Sequence, residues 1–168
     1  MNPIETYEVY AIRYATLARK ASDNFIGGDP HEDASALDFF VWLARSPSRT
    51  FVIDTGFGAQ AAARRGRKIL LSPDIGLARL GVEAAAVREV VITHLHYDHV
   101  GNFAMFPKAT FHLQDAEMQY ATGRHMAYGV FSHAYEVEEV VAMVRRVYEG
   151  RVQFHDGDAL LAPGLSLH

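Results

Sequence analysis

The chain has 168 residues, 49% of them hydrophobic and 21% charged, which is typical of a globular domain with a buried core. Its 16 basic and 20 acidic side chains give a formal net charge of -4, which argues against nucleic acid or an anionic membrane as a partner. There is no cysteine, so disulfides and thiolate ligands are excluded, and a metal ion would have to be bound by histidine and carboxylate groups.

The N-terminal segment, residues 1–10, is polar and has neither the basic region nor the apolar region of a signal peptide. No apolar run in the sequence approaches the roughly 20 residues that a membrane-spanning helix needs. We therefore expect a cytoplasmic protein.

The first half of the chain predicts three strands followed by two helices. The strands are predicted from runs of β-branched and aromatic residues: 8–15, 37–44 and 50–54, the last two forming a hairpin. The helices are predicted from helix-forming sequence: 58–65 and 74–80. Residues 18–35 have no clear period and contain Asp29 and Pro30, which predicts a loop that could cover a site.

The second half alternates strands and helices. Strands are predicted over 87–93, 109–113, 152–155 and 165–168. Helices are predicted over 99–106, where Pro107 ends the helix, and over 115–121 and 135–148. No composition change marks a domain boundary, so we expect one α/β (α+β) domain over residues 1–168.

A cluster of metal-ligand side chains follows the predicted strand at 87–93. Residues 94–99 are HLHYDH, and an extended chain would point His94 and His96 in the same direction. Asp98 and His99 would then enter a turn, from which they can face a second ion about 3.5 to 4 Å from the first. The alternative is a surface loop that happens to be rich in histidine.

This segment resembles the H-x-H-x-D-H signature of the metallo-β-lactamase superfamily at His94, His96, Asp98 and His99. Further turns are similar to that superfamily: Asp54-Thr55-Gly56, Gly101-Asn102, Gly157-Asp158 and Pro163-Gly164. The longer pattern T-H-L-H-x-D-H-x-G-N, followed by F-P-x-A and a helix with Glu117 and Tyr120, is most similar to the N-acyl homoserine lactonase group.

The resemblance implies an αββα sandwich that binds two divalent ions, usually Zn²⁺. His94 and His96 would bind the first ion, and Asp98 and His99 the second. A metal-bound hydroxide would open the lactone ring of an N-acyl homoserine lactone, with Asp98 assisting the leaving oxygen as a catalytic residue. Asp54 would support a ligand rather than bind the metal itself.

The family pattern continues with a third histidine, a bridging aspartate and a final histidine beyond His168. We therefore expect residues 1–168 to hold about the first half of the fold, with the C-terminal part missing. The histidines that could substitute for the absent ligands are His112, His125, His133 and His155.

Three alternative functions remain open from the sequence. A thioesterase or another ester hydrolase would use the same metal chemistry on a different acyl group. An iron-binding redox enzyme would use the same ligand types, because histidine and aspartate bind iron as well as zinc. A non-catalytic metal-binding fragment is the third. The expected partner is a small acyl lactone or ester, and the sequence does not indicate the oligomeric state.

Overall fold

The computed structural model describes residues 5–28 and 33–168, so Asp29 and Pro30 of the predicted loop lie outside the described residues. The strands are β1 (Glu8–Lys20), β2 (Ala34–Arg45), β3 (Thr50–Ile53), β4 (Lys68–Ile69), β5 (Glu89–Val91), β6 (Thr110–Gln114), β7 (Val152–His155), β8 (Ala159–Ala162) and β9 (Leu165–Leu167). The α-helices are α1 (Ala59–Arg65), α2 (Pro73–Arg79), α3 (Asp115–Ala121), α4 (Gly129–Ser132) and α5 (Val137–Tyr148).

Seven of these strands form one mixed sheet in the order β4-β1-β2-β3-β5-β6-β7. The strands from β4 to β3 pair antiparallel, whereas β3, β5, β6 and β7 pair parallel. Strands β8 and β9 form a separate antiparallel hairpin. The parallel part matters for function, because the carboxyl ends of its strands and the loops that follow them share one edge of the sheet.

The two faces of the large sheet are covered differently. Alternate residues such as Val52, Val90 and Phe111 pack with the helices, and Leu77 of α2 and Met143 of α5 are fully buried in this core. The intervening residues face the other way, where a smaller cluster forms around β8 and β9: Ala44, Phe51, Val91 and Ala162. Helices, the large sheet and this hairpin are three layers of the predicted αββα arrangement, and the predicted mixed α/β fold is confirmed.

Most of the predicted elements are present within a few residues of their expected ends. The prediction of a loop from residue 18 is wrong, because β1 continues to Lys20, which pairs with Ala34 of β2. The C-terminal prediction missed β8, which is the pairing partner of β9. Within the described part of the chain, no helix is long and apolar enough to cross a membrane.

The helix predicted over 99–106 is also wrong. The chain forms an irregular turn there, with one short 3₁₀ helix at Phe103–Met105. The carbonyl group of His99, which an α-helix would use internally, instead accepts hydrogen bonds from the backbone N–H and the hydroxyl of Thr55. Packing against the turn that follows β3 therefore overrides the local preference for a helix.

Candidate metal centre

The HLHYDH segment leaves the sheet directly after β5 and stays extended over its first half. The side chains of Leu95 and Tyr97 are buried in the core. Between them, His94 and His96 are half-buried on the opposite side of the chain. The hydrophobic effect on the alternating apolar residues thus turns both histidines to the same side, as the sequence predicts.

All four predicted ligand residues lie together. The ring centroids of His94 and His96 are 4.5 Å apart, and those of His94 and His99 are 3.9 Å apart. The Nε2 atom of His99 is 3.4 Å from Oδ2 of Asp98. Three imidazoles and one carboxylate therefore form a compact group at the edge of the sheet.

Asp54 orients two of these rings from the end of β3. Its carboxylate accepts the backbone N–H and the hydroxyl of Thr93, and it lies 2.7 Å from Nδ1 of His99. Because the Thr93 hydroxyl donates its only proton to Asp54, it must accept the Nδ1–H of His94, 3.0 Å away. This tautomer leaves a free lone pair on Nε2 of His94.

Asp54 itself has an unusual backbone. Its φ angle is +62°, and it is the only described non-glycine residue with positive φ. Its side chain is buried, and the left-handed conformation is held because its backbone N–H donates to the carbonyl of Val91. Strained backbone of this kind persists where the surrounding structure enforces it, which is common at functional sites.

The protonation states follow from burial and from neighbouring charges. Burial opposes protonation of His99, but hydrogen bonds to Asp54 and Asp98 outweigh it and raise the pKa of His99 to about 9. Burial would raise the pKa of Asp98, but its hydrogen bond with His99 and the charge of that ring lower the pKa. At neutral pH Asp98 is therefore ionised, and His99 is positively charged, with both ring nitrogens protonated.

The other two histidines are driven towards the neutral form. Burial lowers the pKa of His94, and the charges of His99 and His96 lower it further. Burial also lowers the pKa of His96, although the charge of Asp98 opposes this. Neutral imidazole is the form that binds a metal ion.

The second half of the HLHYDH segment and the loop that follows it are held by contacts with β1 and with the turn after β3. The hydroxyl of Tyr14, a fully buried residue of β1, donates to the carbonyl of Asp98 over 2.7 Å. The Asn102 side chain donates to carbonyls in the 55–57 turn, including that of Thr55 at 2.9 Å. The motif loop and this turn therefore form one interlocked unit.

Contacts from later in the chain hold the first half. A carboxylate oxygen of Glu117 accepts the backbone N–H of Leu95 over 2.9 Å and the hydroxyl of Tyr135 over 3.2 Å. The Tyr135 ring meets the His96 ring edge to face, with centroids 4.8 Å apart. The sequence gives no local signal for Tyr14 or Tyr135, because each reaches the motif only through the tertiary fold.

The fit of a metal ion to this group can be judged from its donor atoms. Within residues 5–28 and 33–168, no three His, Asp or Glu side chains are arranged around a common ion position. The Nε2 atom of His99 faces Oδ2 of Asp98 across 3.4 Å. The donor set is nevertheless suited to a divalent ion: Nε2 of His94 is unprotonated, and Asp54 fixes the His99 ring through Nδ1 so that only the Nε2 proton must be displaced.

The other histidines proposed as substitutes are placed unequally. His112 and His155 hydrogen bond to each other, and His112 also bonds to Glu89, on the face of the sheet opposite the helices. The ring of His125 packs against those of Tyr120 and Phe131. His133 influences the motif electrostatically. Burial is the main cause of the lowered pKa of His96, and the charge of His133 lowers that pKa further.

A cavity of about 200 Å³ opens beside the second half of the motif. Its lining consists of residues from β2 together with two motif residues: Leu37, Asp38, Phe39, Phe40, Trp42, Asp98 and His99. Apart from the Asp38 carboxylate, the β2 side of the cavity is apolar. The cavity can therefore accept an uncharged, apolar group next to Asp98.

Sequence comparison places this site within a known family. The profile of the Metallo-beta-lactamase superfamily matches residues 39–162, well over half of the chain and all of the HLHYDH segment. Among curated proteins, the chain is 35% identical over 94 residues to the probable metallo-hydrolase Rv2300c of Mycobacterium tuberculosis, an alignment covering 49% of this chain and 30% of that protein.

Two further relatives have more specific names. The chain is 52% identical over 42 residues to the N-acyl homoserine lactonase AttM of Rhizobium johnstonii, covering 25% of this chain and 16% of that protein. It is 34% identical over 79 residues to the acyl-coenzyme A thioesterase MBLAC2 of Homo sapiens, covering 46% of this chain and 27% of that protein. The matched parts are thus less than a third of these relatives.

Structure comparison gives a likeness over nearly the whole chain. A crystal structure of a quorum-quenching N-acyl homoserine lactone lactonase aligns with a TM-score of 0.70 and 19% identity. The alignment covers 99% of this chain and 63% of the lactonase chain. At this identity the likeness establishes the fold.

Proposed function

The chain belongs to the Metallo-beta-lactamase superfamily, and from this premise we propose that it is a metal-dependent hydrolase that opens the lactone ring of N-acyl homoserine lactones. The observation that carries the proposal is the cluster at the end of a buried strand, in which the His94 ring lies against the rings of His96 and His99, and His99 lies against Asp98. The similarity to a named lactonase over 42 residues supports the choice of substrate.

The proposed cofactor is Zn²⁺, with His94 and His96 binding one ion and Asp98 and His99 a second. Bound ions would supply Lewis-acid polarisation of the lactone carbonyl and a water activated near neutral pH. The protein contributes the ring orientations, which Asp54 and Thr93 fix through the Nδ1 atoms of His99 and His94.

Asp98 is proposed to move the proton. Its pKa is lowered from a value already well below 7, so its carboxylate is ionised at neutral pH and is free to accept a proton from the attacking water. It can then give that proton to the ring oxygen that leaves as the lactone opens. The product would be the N-acyl homoserine, and one proton would be released when its new carboxyl group ionises.

The cavity beside Asp98 supports an acyl substrate. The cavity has apolar lining residues next to Asp98, among them Leu37, Phe40 and Trp42. An acyl chain bound in this cavity would be removed from water.

Thioester hydrolysis is the second candidate. The similarity to an acyl-coenzyme A thioesterase extends over 79 residues, a longer stretch than the similarity to the lactonase, although at lower identity. The metal chemistry would be the same, and only the leaving group would differ: a thiolate in place of an alkoxide.

The experiment compares the two substrate classes on the Zn²⁺-loaded chain. Hexanoyl homoserine lactone is followed by acid release with a pH indicator, and hexanoyl-coenzyme A by thiol release with a chromogenic disulfide. We expect faster turnover of the lactone. Faster turnover of the thioester would replace the lactonase proposal by the thioesterase proposal, and no turnover of either would refute both.

The assignment of the site is tested with paired histidine variants. His96→Ala should lower turnover by at least about 100-fold, because it removes a proposed metal ligand. The matched control is His125→Ala, since His125 is exposed and lies outside the motif. Equal turnover by the two variants would contradict the assignment.

A further inference from the structure

Glu117 and Tyr135 are the two side chains that reach the first half of the motif from later parts of the fold. Glu117 lies in α3, and Tyr135 lies just before α5, so neither belongs to the strand and loop that carry the histidines. They touch each other through the hydrogen bond from the Tyr135 hydroxyl to Glu117, 3.2 Å long.

The backbone of Leu95 shows why this contact matters. Strand β5 has ended, and the last backbone bond from this strand to β6 is donated by Ile92 to His112. The N–H of Leu95 therefore has no strand neighbour, and the Glu117 carboxylate accepts it over 2.9 Å. The side chain of Leu95 is also fully buried. Leu95, which lies between His94 and His96, is therefore held both by its packed side chain and by its backbone N–H.

The Tyr135 segment fixes the His96 ring itself. The Tyr135 ring stands at 89° to the His96 ring, with centroids 4.8 Å apart, so its face or edge limits the rotation of the imidazole. The neighbouring Ala134 carbonyl accepts the N–H of Tyr97 over 2.8 Å, which holds the two segments side by side. The hydroxyl of Tyr135 stays protonated, since burial and the charge of Glu117 both raise its pKa.

We propose that Glu117 and Tyr135 are positioning residues for His96: Glu117 sets the path of the backbone between the two imidazoles, and Tyr135 sets the orientation of the His96 ring. Neither side chain binds the metal in this proposal. Metal affinity depends on them because a ligand must present its lone pair within a narrow range of directions. This inference rests on the proposed function, in which His96 is a ligand.

The test is a titration of the full metal-free chain with Co²⁺, whose visible absorption reports both affinity and coordination geometry. Glu117→Ala should weaken Co²⁺ binding by about 10- to 100-fold and change the absorption bands. Glu117→Gln retains an oxygen that can accept the Leu95 N–H, so it should restore affinity and spectrum close to those of the unmodified chain.

Two variants of Tyr135 distinguish the contact of its ring with His96 from the hydrogen bond of its hydroxyl to Glu117. Tyr135→Leu removes the ring from His96 and should weaken Co²⁺ binding, whereas Tyr135→Phe keeps the ring and should have a smaller effect. The matched controls are Glu138→Ala and Tyr148→Phe, since both residues are exposed on α5 and should leave affinity unchanged. Circular dichroism establishes that each variant is folded.

The outcomes separate this inference from the proposed function. If His96→Ala weakens Co²⁺ binding but Glu117→Ala and Tyr135→Leu bind as the unmodified chain does, the positioning role is refuted and the metal site stands. If His96→Ala binds Co²⁺ normally, the proposed site itself fails. Should Glu117→Ala not fold, Tyr135→Leu decides, because the bond from Leu95 to Glu117 remains intact in it.

Discussion

The Nδ1 atom of His99 lies 2.7 Å from Oδ2 of Asp54, a residue 45 positions earlier in the chain. This contact joins the end of β3 to the loop after β5, and it leaves only the Nε2 atom of His99 to face Asp98 and the candidate metal site. The raised pKa of His99, about 9, is one consequence of the contact. The orientation of the ring is the other.

We expect Asp54→Asn to change both the pKa and the ring orientation of His99 while leaving the backbone conformation of residue 54 unchanged. Asparagine tolerates the positive φ of this position about as well as aspartate does, so the turn should be kept. If the amide oxygen keeps the Thr93 N–H, the amide nitrogen faces His99 and forces its Nδ1 to accept, which moves the proton to Nε2. The pKa of His99 in the metal-free chain should fall from about 9 towards the ordinary value near 6.5, because the neighbouring negative charge is gone.

Two measurements check this prediction. NMR titration of the imidazole resonances gives the pKa of His99, and Zn²⁺ titration should show affinity lowered by about 10- to 100-fold. Asp158→Asn is the control, because Asp158 is highly exposed and lies next to His168 rather than the motif. An unchanged pKa of His99 in Asp54→Asn would contradict the role of this contact.

Local patterns predicted the parts of the fold and site that depend on neighbouring residues. The sequence predicts that His94 and His96 point in the same direction, and the structure places both on one side of the extended segment, opposite the buried side chains of Leu95 and Tyr97. The mixed α/β fold could be predicted for the same reason, since the periodicity of each strand and helix is local.

The parts that could not be predicted depend on contacts between distant segments. Tyr14 reaches Asp98 across 84 positions, and no pattern near either residue indicates this. The helix expected over 99–106 does not form because Thr55 takes the His99 carbonyl, which is again a contact between distant segments. The positive φ of Asp54 has no sequence signal either, because it results from the fold around it.

Tyr14→Phe tests how strongly β1 holds the motif loop. The phenol donates to the Asp98 carbonyl and accepts the N–H of Phe57, 3.3 Å away, in a fully buried position. Removing the hydroxyl leaves both groups without this partner, so the free energy of unfolding should fall by about 1–3 kcal/mol. Urea unfolding followed by the fluorescence of Trp42, the single tryptophan, measures the change.

The control for this variant is Tyr148→Phe, which changes the same group on a side chain that is 89% exposed. Its free energy of unfolding should stay within about 0.5 kcal/mol of that of the unmodified chain. A Tyr14→Phe variant as stable as this control would show that the hydroxyl does not help to hold the loop.

Gly56→Ala should destabilise the turn that the motif loop packs against. Gly56 has a φ angle of +67°, and an added Cβ would lie 2.8 Å from Cζ of Tyr14, a fully buried ring. Left-handed backbone costs an L-residue about 1–2 kcal/mol, and overpacking a core costs about 1–3 kcal/mol more. Gly66→Ala is the matched control, since Gly66 has a φ of +63° and nothing within 4 Å of the added Cβ.

The difference between the two glycine variants isolates the contact with Tyr14. Both should lose stability in urea unfolding, but Gly56→Ala should lose about 1–3 kcal/mol more than Gly66→Ala. Equal losses would mean that Tyr14 can move aside without cost, which would argue against a rigid link from β1 to the motif.

His155 should make the stability of the fold depend on pH. It is 8% exposed and lies against His112, and burial, with the charge of His112 as a smaller cause, lowers the pKa of His155 below the ordinary value near 6.5. The hydrogen bond from His112 to Glu89 places the His112 proton on Nε2, so its Nδ1 must accept the Nε2–H of His155.

The sign of the effect follows from proton counting. Above about pH 6.5 His155 is neutral in both the folded and the unfolded chain, so it contributes no pH dependence. As the pH falls below about 6.5, the unfolded chain takes up a proton that the folded chain excludes, and the free energy of unfolding falls by at most about 1.4 kcal/mol per pH unit from this residue. The fall stops once the pH is below the folded pKa.

His155→Gln provides the comparison, because its amide can still donate to Nδ1 of His112 but does not titrate. Urea unfolding between pH 7.5 and pH 5 should show a steeper loss of stability in the unmodified chain than in His155→Gln. His168→Gln, which alters an exposed histidine, should follow the unmodified chain at every pH. If the unmodified chain and His155→Gln lost stability in parallel, another titrating group would cause the loss. The buried pair of His112 and His155 would then have no part in the acid sensitivity.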